Sequence, residues 1–174
     1  WFRNSLVMIA PDARFRSFEN FLDEDCPLYD RMNQTLRRLD TGIERLWGDE
    51  TPVENVPIAE ADRIKLLEEM KDGQTVRVTD GQFRERYAIT SRNGELTAKK
   101  LVAYHYGADG GEIKFEMHQE SDGTLRVIDL LPAFLDLSAG DSKKTYVIDE
   151  IDRSLHTLLT RRLLEDYLET CSGQ

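Results

Sequence analysis

Residues Tyr146-Val147-Ile148 run without a break into Asp149-Glu150, and this junction constrains the fold more than any other stretch of the chain. Three β-favouring side chains with no polar alternation predict a strand apolar enough to lie inside a sheet. The two acids then emerge at its carboxyl end, the edge at which open α/β sheets bind ligands. The chain is therefore expected to be α/β, and paired carboxylates at that edge point to phosphoryl chemistry.

The length of 174 residues is about one domain's worth, and 40% hydrophobic content is enough for one sizeable core. A net charge of -10 opposes loose, whole-surface binding to phosphate backbones, so charge gives a nucleic-acid role no support. Lys99-Lys100 and Lys143-Lys144 read as solvated charge unless they share one basic face. Cys26 and Cys171 are too few and too far apart for a disulfide framework or a zinc site, which favours reduced thiols in a cytoplasmic protein. The chain opens at Trp1 with no basic region leading into a long apolar run, and no segment is apolar enough to span a bilayer. The expectation is a soluble piece of something longer, with no membrane partner.

Ser5 to Ile9 reads as a short buried strand closed by Ala10-Pro11-Asp12. Pro27 suits the first turn of a helix carrying Leu28, Met32, Leu36 and Leu39 at helical spacing, with Gly42 as its left-handed stop. Gly48 to Pro57 reads as polar turns. A second helix is expected from Ala61 to Lys71, with Ile64, Leu67 and Met70 on its apolar side. The period then changes to two: Thr75–Thr79, Arg86–Ser91, Glu95–Tyr106 and Glu112–Met117 read as strands of an antiparallel sheet, with Asn93-Gly94 a hairpin turn. Leu125 to Leu135 reads as a helix. The last helix begins near Ser154 and reaches Cys171, with Leu159, Leu163, Leu164, Tyr167, Leu168 and Cys171 on one side. Its other side offers the surface pairs Arg161/Glu165 and Arg162/Asp166.

Asp149 is the residue expected nearest Mg²⁺, because hard cations prefer carboxylate oxygens and magnesium keeps several waters. Glu150 is then placed to orient or deprotonate an attacking water. The competing reading is an acid pair that merely opens a helix, where the dipole favours negative charge. In Glu120-Ser121-Asp122-Gly123-Thr124-Leu125-Arg126 a hydroxyl, a glycine and a helix start converge, the combination that offers backbone N–H groups to phosphate. Taken alone this is equally an ordinary N-cap. His105 and His118 have no metal-ligand partner at short spacing and read as packing or surface residues. Asp149 and Asp152 are also spaced for a nuclease metal site, but no further acidic motif accompanies them.

Ser-Asp-Gly-Thr-Leu-Arg, followed by Tyr-Val-Ile-Asp-Glu-Ile-Asp-Arg-Ser-Leu-His, resembles the ABC-type AAA-family ATPases linked to abortive-infection phage resistance. Trp1-Phe2-Arg3-Asn4-Ser5-Leu6 and Asp40-Thr41-Gly42-Ile43 also look like parts of that family. The resemblance implies the C-terminal lobe of an ABC-type P-loop NTPase with an attached antiparallel β-rich and helical portion. Residues 1–118 would form that portion, and 119–174 would carry the signature motif, Walker B strand and D-loop. Ser121, Asp122, Gly123 and Thr124 would be the signature motif that reaches ATP on a partner subunit. Asp149 and Glu150 would be the Walker B aspartate and catalytic glutamate, and Ser154-Leu155-His156 the D-loop. ATP and Mg²⁺ would be the cofactors and a head-to-tail homodimer the assembly, with a partner nuclease or toxin in phage defence. A DNA-repair-like clamp and a non-catalytic interaction module are the alternatives. The sequence departs from the family in two places: no Gly-x-x-x-x-Gly-Lys-Ser/Thr loop occurs, and the switch histidine expected after a further strand is missing. The expected fragment is a C-terminal half that binds ATP weakly and does not turn it over.

Overall fold

The computed structural model describes residues 5–15, 18, 22, 26–82, 84–140 and 142–172. Among the described residues seven strands and four α-helices follow in the order β1 (Leu6–Ile9), α1 (Pro27–Arg38), β2 (Ile43–Thr51), α2 (Glu60–Glu69), β3 (Thr75–Thr79), β4 (Arg86–Arg92), β5 (Glu95–Tyr106), β6 (Glu112–Glu116), α3 (Asp122–Leu137), β7 (Thr145–Ile148) and α4 (Thr157–Ser172). The result is a mixed α/β fold with one parallel and one antiparallel sheet. Trp1 to Asn4 lie outside the described residues, as does the side chain of Cys171.

The parallel sheet is β1 beside β7, with Leu6 opposite Thr145 and Ile9 opposite Ile148. The antiparallel sheet has the order β2-β5-β4-β3. β5 is long enough to pair β4 along its first half and β6 along its second, with β2 on the opposite edge. Asn93 and Gly94 both take left-handed φ, as the expected β4–β5 hairpin requires.

α3 is the axis of the molecule. Every residue from Thr124 to Leu135 is buried, because α1 packs on it, β1 and β7 contribute Ile9 and Ile148, and α4 contributes Leu163. Leu101 and Ala103 of β5 face this same core, whereas Ala98 of the same strand faces a smaller cluster with Val56, Tyr87 and Ile89. The two-residue period of the strand thus divides one sheet between two cores.

Four expectations need correction. The segment read as turns from Gly48 is strand as far as Thr51. Gly48 belongs there because a Cβ on it would come within 2.9 Å of the Leu22 Cβ, so the strand tolerates only glycine at this crossing. The left-handed residue that follows α1 is Asp40, while Gly42, also left-handed, leads into β2. On α2 the inward residue is Leu66, and Ile64 and Leu67 are about half exposed, because the small cluster touches only a narrow stripe of that helix. On α4 the pair Arg161–Glu165 forms at 2.7 Å, but Arg162 pairs with Asp40 and Asp166 with Arg38, since the α1 end offers partners across the fold.

Candidate functional site

The parallel strands end at one edge, and the acid pair leaves from it. The Asp149 N–H donates to the Ile9 carbonyl at 3.0 Å, extending the ladder by one residue before the chain turns. Asp149 and Glu150 are both solvent-exposed. The strand bearing them is not interior, contrary to expectation: Tyr146 and Ile148 pack inward, but Val147 is 45% exposed and its neighbour Met8 73%. Among the described residues β7 has a partner strand on one side only.

After the acids the chain makes a tight turn. The Arg153 N–H donates to the Glu150 carbonyl at 2.9 Å, and the Arg153 guanidinium lies 3.4 Å from the Glu150 carboxylate. Glu150 and Ser154 both adopt left-handed φ, +46° and +65°, a region that is costly for residues with a Cβ and often occupied at functional turns. Buried Leu155 pins the turn to the main core. His156 then caps α4: its Nδ1 accepts the Leu158 N–H at 3.3 Å and its carbonyl accepts Leu159 and Thr160.

The turn from Ser121 to Thr124 opens α3. Ser121 is its N-cap, accepting the Thr124 N–H at 3.0 Å, with the Thr124 hydroxyl 2.9 Å from the Ser121 hydroxyl. Asp122, in the first helical turn, is ion-paired with Arg84 from the β3–β4 loop. A Cβ at Gly123 would stand 2.9 Å from the Ser154 carbonyl. The fold therefore brings together Gly123 and Ser154, from two segments some thirty residues apart in sequence. It gives Ser121 and His156 capping bonds as well, the structural alternative at both positions.

The most deeply buried charged groups were not predicted from sequence. Asp129, whose side chain is fully buried, accepts Arg86 at 2.7 Å and Arg14 at 3.1 Å, while its Oδ1 also accepts the Phe15 N–H at 2.9 Å. Arg86 and Arg126 are 1% and 2% exposed. Arg126 donates to the Ala13 and Ala10 carbonyls beyond β1, at 3.2 and 3.4 Å. Burial pushes the Arg126 guanidinium below its ordinary range, Asp129 opposes this, and Arg14 and Arg153 reinforce it. One sequence signal was available: Arg126 and Asp129 interrupt an otherwise apolar helix at a spacing of three. Likewise His105 and His118 are not free surface groups but pair with Glu120 and Glu85. The lysine pairs do not make a basic face, since Lys100 is held by Glu85 and Glu116 and Lys144 by Asp136.

Beside β1 a cavity of about 750 Å³ is lined by Met8, Arg14, Phe15, Arg31, Asp129 and Tyr146 among others, but by neither acid of the pair. The described residues contain no group of three or more His, Cys, Asp or Glu that could cage a metal. The two exposed carboxylates at the β7 end are hard oxygen donors, a set that fits a magnesium ion arriving with its waters and nucleotide phosphates. No helix among the described residues is long and apolar enough to cross a membrane.

Comparison with curated proteins and with solved structures gave no significant match. A family model described as "AAA domain, putative AbiEii toxin, Type IV TA system" matches residues 7–173, and the match takes in β1, the α3 turn and the acid pair alike. With that model spanning nearly its whole length, the chain belongs to this AAA-domain family.

Proposed function

We propose that the chain is the portion of an ABC-type ATPase that presents the hydrolytic acids and the signature turn to ATP held between two copies. The observation that carries this reading is the meeting of Gly123 with Ser154 close to the loop that bears Asp149 and Glu150. On this reading residues 119–174 carry the nucleotide-facing parts, and the helical and antiparallel portion of 1–118 supports them. The chain has no phosphate-binding loop, so its residues supply the metal-facing and partner-facing halves of a site whose phosphate cradle lies elsewhere.

Magnesium, when bound with the nucleotide, supplies charge neutralisation at the transferring phosphoryl group. Asp149 would hold it, with a carboxylate oxygen directed to the ion or its waters. Glu150 accepts the proton of the attacking water at a carboxylate oxygen. Ser121, Asp122, Gly123 and Thr124 face the nucleotide of the partner copy at the start of α3, where the Thr124 N–H is taken by the Ser121 cap and those of Asp122 and Gly123 are the ones offered to phosphate. Ser154 and His156 line the contact between copies. The family description favours a toxin–antitoxin or abortive-infection setting, and a partner nuclease or toxin is the partner proposed for it.

The test is Glu150→Gln in the whole protein that carries this domain. The variant is expected to keep nucleotide binding and to lose turnover; unchanged turnover removes Glu150 from the reaction. A second reading, a non-catalytic interaction module, is favoured by the capping bonds of Ser121 and His156. It predicts that Glu150→Gln changes nothing measurable in nucleotide assays.

A further inference from the structure

The α3 turn is held from outside by His105 of the antiparallel sheet and by Arg84 of its β3–β4 loop. Glu120, the residue before the Ser121 cap, is buried, with its side chain 5% exposed. His105 on β5, 16% exposed in its side chain, donates from Nε2 to the Glu120 carboxylate at 2.5 Å. The imidazole has little freedom. It lies against the Phe115 ring at 4.4 Å between centroids, and its Nδ1 is so close to Gly42 that a Cβ there would approach to 3.2 Å. Arg84, from the β3–β4 loop, donates to the Glu120 carbonyl at 3.4 Å and pairs with Asp122. A buried carboxylate is tolerated where its donors are fixed, and His105 supplies that donor to the Glu120 side chain, while the Glu120 N–H is held by the Met117 carbonyl at 3.3 Å.

We propose that His105 and Glu120 are positioning residues that set the presentation of the Ser121–Thr124 turn from the end of β5. The inference rests on the assignment of that turn to nucleotide. It makes β5 and β6 a lever on the turn, because anything that displaces His105 or Phe115 drags Glu120, and Ser121 follows as its chain neighbour. The hydrogen bonds that report on the turn are those from the Thr124 N–H to the Ser121 hydroxyl and from the Leu125 N–H to the Ser121 carbonyl, both 3.0 Å.

The experiment is site-resolved amide hydrogen exchange on the chain and its variants. In His105→Leu the amides of Thr124 and Leu125 are expected to exchange roughly tenfold faster, while Leu163 in the main core keeps its protection. His105→Gln, which retains a donor of similar reach, is expected to restore protection at both amides. Unchanged exchange at Thr124 and Leu125, or equal acceleration at Leu163, overturns the proposal. Should His105→Leu fail to fold, Glu120→Ala, which removes the acceptor of the His105 bond, takes its place, with the same two amides expected to lose protection and the same outcomes overturning it. A parallel titration of the whole protein with Mg–ATP separates the two ideas. If the exchange pattern is as expected but the parent protein gives no nucleotide response, the positioning role stands and the nucleotide assignment of the turn falls.

Discussion

Gly123 and Ser154 touch through a gap that only a hydrogen fills: an added Cβ on Gly123 would lie 2.9 Å from the Ser154 carbonyl oxygen. The first turn of α3 and the loop after β7 therefore depend on each other's placement. Gly123→Ala gains helix propensity of at most about 1 kcal/mol. It also forces a backbone carbonyl to move, and overpacking of this kind costs about 1–3 kcal/mol. The steric term wins, so urea denaturation is expected to report a net loss of stability, and a gain would show that the two segments do not meet.

Asp129 is shared by two arginines, one of them buried with it. Asp129→Ala leaves Arg86 charged and without its carboxylate in the core, a change expected to cost about 3–5 kcal/mol. Replacing both partners, as in Arg86→Met with Asp129→Leu, is expected to recover much of that loss. A double-mutant cycle of Arg86→Met, Asp129→Leu and the two together, by chemical denaturation, gives the coupling, and additive single effects would deny the pair any special role.

Ser121 separates capping from nucleotide contact. Ser121→Ala removes the cap and is expected to cost about 1 kcal/mol. Ser121→Asp preserves the cap, since aspartate accepts the same N–H, but brings negative charge to the place proposed for phosphate. It is expected to match the parent in thermal denaturation and to lose the response to Mg–ATP in the whole protein. A variant that keeps both would exclude phosphate from this turn.

Asp136 ties the end of α3 to β7, accepting the Tyr146 hydroxyl at 2.7 Å and the Ser142 hydroxyl at 2.8 Å, with Lys144 3.4 Å away. Burial pushes its pKa up, but these donors outweigh burial and hold the carboxyl below its ordinary range. Its contribution to stability is therefore complete above the unfolded value of about 3.9 and lost as the pH falls through the folded one. Tyr146 has the opposite sign. Burial first, and the bond to Asp136 next, raise its phenol, so its contribution is complete below the unfolded value of about 10 and lost as the pH rises through the folded one. Tyr146→Phe is expected to cost about 1 kcal/mol near neutrality and distinctly less once Asp136 is protonated. Denaturation midpoints across the acid range check this, and a pH-independent difference would contradict it.

What was legible in the sequence is local. Asn93-Gly94 specified its hairpin because both residues tolerate left-handed φ. Met32, Leu36 and Leu39 marked the inner side of α1 and its first following turn, and the run into Asp149-Glu150 marked a strand end, because those patterns express backbone geometry that needs no partner. β2 was hidden, since Gly48-Asp49-Glu50 has turn composition and becomes strand only against β5 and Leu22.

The sequence by itself determined which segments are helix or strand wherever periodicity is strong, and that two acids leave the end of a strand. Only the tertiary structure decided which charges meet: Arg86 with Asp129, His105 with Glu120, Arg162 with Asp40 rather than Asp166. The physical reason is range. Propensity and period are properties of a few neighbouring residues, whereas the partner of a buried charge is whatever group the packing of distant elements places within about 3 Å of it.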